Sequence, residues 1–445
     1  MTALLEMVTQ RRPRRRPRPA LPPPARQRGR ILPAWLKAQA INVTRHAAGL
    51  RPFARDEFGD VAAAPTEGHI RAVNHLISSL RAALLKMTAG VTRAASAAVS
   101  DPSPQNVTRL VTLKDHSHTV VQAIEKVWDF YFELFGQRQT RFADWLLSCD
   151  RIALDCYQYT YLNIGLAKSV PAPPPFSYMR TGFSPATFRR DIPLEKLGSL
   201  HNPFPLIQLP YHRLMNPWTL GAVLHEVSHN LQNDLALDKA VPEAMERRLL
   251  DEGLPPFVAG TWKRWNRELF ADVCGLLFGG PSIIASLMDV VGRSRPNTLT
   301  FSPGAPHPTP FLRTLISCEL LRRMGFGAEA EEYRRSWLRL YPNPRSGEIP
   351  KVLLDTFERA NALVIDTVCY QPYASLGDKT LAQVIRFERK EQSMIEEAAQ
   401  RMANGTDPGI VPERFYIGAA RIAFDRRLAR PGAITKNFYR ALARR

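Results

Sequence analysis

Apolar residues recur at three- and four-residue intervals along most of this chain, a period that predicts a mainly α-helical protein. The pattern becomes regular from His69 to Ala98, breaks at Asp101-Pro102-Ser103-Pro104, and resumes near Ser117 with Val120, Val121, Ile124, Val127, Leu134 and Phe135. After a break at Gly136 it continues through Phe142, Trp145 and Leu146 to Ile164. The aromatic positions Trp128, Phe130, Tyr131, Phe132 and Phe135 read as helix-packing core. Pro171-Ala172-Pro173-Pro174-Pro175 stops this block, because proline removes a backbone donor and crowds the preceding turn. Prolines then recur up to Trp218, which predicts a loop with one strand at Leu206-Ile207-Gln208-Leu209.

A helix from Trp218 to about Leu231, capped by Asn216 with Pro217 in its first turn, turns Leu220, Val223, Leu224 and Val227 toward a core. The charged segment after Asp234 predicts a helix ending near Gly253. A second central helix follows Gly260 and stops at Gly279-Gly280-Pro281. An apolar helix to Val291 and a Pro/Ser/Asn-rich loop come next, then helices over 311–324, 328–340, 350–367, 381–402 and 414–428. The breaks divide the chain into an Arg/Pro-rich tail (1–31), an N-terminal helical region (32–169), a central region (170–345) and a C-terminal helical region (346–445).

The net charge of +19 raises the question of a nucleic-acid partner, and its distribution weakens that reading. Nine arginines fall within the first thirty residues against the single acid Glu6. Such a tail cannot form a core and is expected to be disordered, with residues 11–30 suited to weak contact with a polyanion. Elsewhere the arginines are scattered and lack interleaved aromatics, so charge alone supplies only non-specific affinity. The five cysteines form no C-x-x-C pair, which fits a reducing, cytoplasmic setting. The arginines follow the short apolar start instead of preceding it, so no signal peptide is expected. The most apolar run, Val273 to Met288, is interrupted by glycines and a proline and falls short of the ~18 residues of a membrane span.

His225-Glu226-Val227-Ser228-His229 fits H-E-x-x-H, in which two histidines one turn apart on a helix bind zinc and the glutamate serves as general base. A catalytic zinc needs three protein ligands and one open position. Glu268, 39 residues beyond His229 on the second central helix, is the candidate third ligand. Asp272, one turn further on, is placed to accept a hydrogen bond from the other ring nitrogen of a ligand histidine and so hold its tautomer. Gly275 then lets the two helices approach closely.

His225-Glu226-x-x-His229 followed by Glu268-x-x-Ala271-Asp272 resembles the gluzincin class of zinc metallopeptidases. The form with alanine before aspartate is similar to the CAAX-prenyl-protease-like and heat-shock-protease-like families, although their membrane helices have no counterpart here. The resemblance extends over residues 216–325, about a quarter of the chain, and includes a later His307-Pro308 with Arg313 beyond it. It implies a zincin-like core within the mainly α fold, Zn²⁺ as cofactor and a peptide or protein substrate. It further implies a zinc-bound water as nucleophile, with Glu226 moving its proton to the leaving amine. A donor to the developing oxyanion is also needed; His307 comes first, then His212 or Tyr211, with Tyr178 and Tyr373 also within the range of a cleft. The competing expectation is a non-catalytic, zinc-stabilised helical scaffold that binds nucleic acid or another polyanion through its basic tail and surface.

Overall fold

The computed structural model describes residues 31–165, 170–197 and 200–445. The basic tail up to residue 30, with its expected disorder and polyanion contact, lies outside the described residues. The protein is mainly α-helical, as its apolar periodicity predicts, and no described helix is long and apolar enough to cross a membrane.

Two compact units are present. The first combines residues up to Gly49 with Ala83–Val120. Helix α1 (Ile31–Gly49) buries Leu36, Val43 and Ala47 there. Leu84, Val91 and Ala98 of α2 (Glu67–Ser100) and Leu110 of α3 (Pro104–Gly136) are buried in the same unit. Helix α3 begins at Pro104, well before the expected Ser117, because its first turns are largely exposed and carry little apolar periodicity.

The second unit combines Leu50–Ala82 with Val121–Arg445. After α4 (Ala143–Ile164) comes a run of short strands: β1 (Phe176–Arg180), β2 (Ala186–Phe188), β3 (Pro193–Leu194), β4 (Leu200–His201) and β5 (Leu206–Pro210). A three-stranded sheet has β5 at its centre, parallel to β1 with Phe176 opposite Leu206, and antiparallel to β2 with Ala186 opposite Gln208. Only β5 is expected from the sequence. Strands β1 and β2 are short and proline-flanked, and β1 pairs with a strand distant in sequence, which local patterning does not register.

Short α5 (Tyr211–Met215) and a 3₁₀ turn (Pro217–Thr219) lead into α6 (Gly221–Asp234). Asn216 does not cap α6 as expected: its Nδ2 donates to the carbonyl of His212 at 3.0 Å. Helices α7 (Leu237–Asp251), α8 (Pro256–Gly279), α9 (Ser282–Val291), α10 (Arg295–Leu299), α11 (Pro310–Arg323), α12 (Gly327–Leu340) and α13 (Lys351–Ile365) follow. Helix α8 starts at Pro256, ahead of the expected Gly260, with proline in its first turn. The expected 381–402 helix is two pieces, α14 (Leu381–Val384) and α15 (Arg389–Ala403), and Phe387 between them fills the space beside Gly280. Helices α16 (Tyr416–Asp425) and α17 (Pro431–Ala443) complete the unit; α17 lies beyond the last helix expected from the sequence and has proline in its first turn.

Helices α6 and α8 pack tightly against each other at the centre of this unit. Leu220, Val223, Leu224 and Val227 are fully buried, each worth about 1.5–3 kcal/mol relative to exposure. Of the two α8 glycines that face Leu224 of α6, Gly279 is the more tightly packed. A Cβ there would lie 2.6 Å from Ile283 Cδ1 and 2.8 Å from Leu224 Cδ1, whereas one at Gly275 would meet the α6 backbone at an ordinary 3.5 Å.

Candidate metal centre and its cleft

Helix α6 presents His225 and His229 one turn apart toward α8, which supplies Glu268 and, one turn on, Asp272. His225, His229 and Glu268 each offer one ligand atom, all within 4.8 Å of one another, a grouping that matches an H-E-x-x-H zinc-binding arrangement in a helical domain. Nε2 of His225 lies 3.1 Å from Nε2 of His229 and 3.3 Å from Glu268 Oε2; Nε2 of His229 lies 3.5 Å from Glu268 Oε1. On its other side His225 donates through Nδ1 to Asp272 Oδ1 at 2.9 Å, which fixes the ring and aims Nε2 at the cluster.

The electrostatics explain why a cation suits this spot. Burial opposes a charge on His225, but its hydrogen bonds to Asp272 and Glu268 raise the imidazole to about 10. Burial and the neighbouring His225 charge depress His229 to about 3. Glu268 is held well below the usual carboxylate range, against the cost of burial, by His225, His229 and Arg313. Nε2 of both imidazoles and the Glu268 carboxylate thus converge on one buried point. A divalent ion placed there would be held by those same three atoms. Two nitrogens and one carboxylate oxygen are the donor set zinc takes in catalytic sites. His229 differs from His225 in one respect: its Nδ1 is buried without a partner among the described residues.

Arg313, from α11, anchors the outer layer of the site. Its Nε donates to Asp272 Oδ2 at 2.7 Å and its Nη2 to Asp272 Oδ1 at 2.8 Å, with Glu268 Oε2 3.9 Å away. His307 stands on the loop before α11, exposed at the rim, with Nε2 3.2 Å from Glu268 Oε2. Both residues, with Glu226, His225, His229, Glu268 and Asp272, line one cleft of about 920 Å³. Glu226 is 6% exposed, and burial pushes its carboxyl up to about 7.

The other residues considered for the oxyanion lie outside the cleft lining. Tyr211 packs edge-on against Phe142 and His212 sits beside Phe183. The Tyr178 hydroxyl donates to Gln208 Oε1 at 3.0 Å and that of Tyr373 to the Thr367 carbonyl at 2.8 Å, so both are satisfied elsewhere. Sequence reasoning missed Thr187 of β2, Arg189 and Arg267, all of which line the cleft. No local motif marks them; they come together through the β2–β5 pairing and the α6–α8 packing. No family model, curated protein or solved structure matches the chain.

Proposed function

We propose that this chain is a zinc-dependent peptidase of gluzincin type, in which His225, His229 and Glu268 hold the ion and Glu226 is the general base. One observation carries the reading: a buried carboxyl poised near neutrality shares an open cleft with a three-donor cluster. A purely structural zinc site is closed by a fourth protein ligand and has no use for a base beside it.

When bound, zinc supplies Lewis acidity, polarising an acyl carbonyl and acidifying the adjacent water. Glu226 would take a proton from the water as its oxygen adds to the carbonyl carbon, and would give that proton to the amine nitrogen as the C–N bond breaks, roles a carboxyl raised to about 7 by burial suits. Asp272 orients His225, and Arg313 holds Asp272 in place. His307, at the rim, is proposed to donate to the oxygen on which charge develops. A peptide is favoured over other acyl substrates by β2, an edge strand among the described residues whose Ala186 and Thr187 line the cleft. An extended chain in the cleft would run beside Ala186 and Thr187, at the start of that edge. Incubating zinc-loaded protein with a mixed peptide library and reading products by mass spectrometry tests the proposal. Cleavage that Glu226→Gln removes while zinc is retained is expected; cleavage undiminished in that variant contradicts it.

A further inference from the structure

The acids that line the cleft are Glu226, Glu268 and Asp272, and the last two are already engaged by His225, His307 and Arg313. Three further arginines line the same cleft: Arg189, Arg267 and Arg293. None of the three forms an ion pair among the described residues. Arg293 lies over the Phe183 ring, 4.5 Å from its centroid. Arg189 reaches only a long 3.4 Å hydrogen bond to Asn233, one turn beyond His229 on α6.

Arg189 and Arg267 enter this cleft from different elements. Arg189 directly follows edge strand β2, and Arg267 directly precedes Glu268 on α8. Arg189 is half-buried, and its guanidinium is held below the ordinary arginine range by burial and then by the nearby Arg267 charge, with Asp238 only partly offsetting them. Arg267 is exposed, and neither guanidinium has a carboxylate in contact among the described residues, so both are open to an anion in the cleft. Guanidinium groups donate two parallel hydrogen bonds to a carboxylate, so the two arginines present ready donors to one. A peptide laid along β2 carries its side chains toward that pair as it leaves the strand.

We propose that the cleft selects peptides bearing an aspartate or glutamate close to the cleaved bond, its carboxylate received between Arg189 and Arg267. This rests on the peptidase reading of the same cleft, and the two are separable by experiment. Zinc-loaded Glu226→Gln protein is titrated with fluorescein-labelled octapeptides carrying glutamate, glutamine or lysine at the variable positions. Fluorescence anisotropy is read at 0.15 M salt, where the screening length of about 8 Å suppresses the general attraction of a basic protein. The glutamate peptide is expected to bind at least about tenfold more tightly than its glutamine counterpart. Arg189→Gln with Arg267→Gln removes that preference, while Arg339→Gln, on α12 outside the cleft, leaves it. Arg189→Glu with Arg267→Glu transfers the preference to the lysine peptide, a gain that misfolding cannot produce. Equal binding of all three peptides by the parent, or equal losses in the cleft and Arg339 variants, overturns the inference. Library cleavage by the native sequence without acidic preference leaves the peptidase reading standing and removes this one. Acid-selective binding without any cleavage does the reverse.

Discussion

Arg313 grips Asp272 with two hydrogen bonds, at 2.7 and 2.8 Å, while one oxygen of the same carboxylate receives Nδ1 of His225 at 2.9 Å. The arginine therefore sets the aim of the His225 imidazole toward His229 and Glu268 by way of Asp272. Asp272 is buried, and its carboxyl sits below the usual range, against burial, chiefly because Arg313 stands beside it.

Removing that grip has a double consequence. Arg313→Leu leaves the buried Asp272 carboxylate with His225 as its one remaining partner, which costs up to about 3–5 kcal/mol of stability. It also loosens the orientation of His225 and lowers metal affinity by about 10–100-fold. Guanidinium unfolding and zinc competition with a chelator check the two effects. Unchanged values in both assays contradict the role assigned to Arg313.

The two glycines of α8 respond oppositely to alanine. Gly279→Ala drives a methyl against Ile283 and Leu224 and destabilises by about 1–3 kcal/mol. Gly275→Ala meets only ordinary contacts and gains up to about 1 kcal/mol from removing a helical glycine. Thermal unfolding of the two variants side by side reads the difference in sign.

His69 supplies a pH dependence remote from the metal centre. It is buried, its Nε2 donates to the Pro174 carbonyl at 3.0 Å, and its Nδ1 therefore accepts from the Thr66 hydroxyl at 2.7 Å. Burial lowers its pKa from 6.5 to about 4, so the folded state favours the neutral ring. The unfolded chain then binds a proton first as pH falls. The contribution is complete above pH 6.5 and is lost progressively between there and about pH 4, by about 3 kcal/mol. His69→Gln keeps a donor for Pro174 and should show a shallower loss of stability over this window. Parallel acid branches in the two proteins contradict the assignment.

The helical register was legible because apolar spacing is a local signal, and α4, α6, α9 and α12 lie close to where it puts them. The pairs His225/His229 and Glu268/Asp272 were legible for the same reason, each one turn apart on its helix; that the two pairs meet came from the need of a catalytic zinc for a third ligand. Strand β1, the Arg313–Asp272 link and the Arg189–Arg267 pair were not, because each depends on contacts between distant parts of the chain. Gly275 illustrates the limit: spacing marks it as a close approach, but only packing identifies Gly279 as the tighter one.

The central claim, that His225, His229 and Glu268 form a zinc site with Glu226 beside it as base, is tested most directly by metal content. Purified protein is equilibrated with limiting zinc, desalted and assayed by inductively coupled plasma mass spectrometry, with the His229→Ala, Glu268→Ala and Glu226→Gln variants in parallel. The account predicts about one zinc per chain in the parent and in Glu226→Gln, and sharply reduced zinc in the other two. A parent that binds no zinc, or a His229→Ala protein that keeps its full complement, contradicts it.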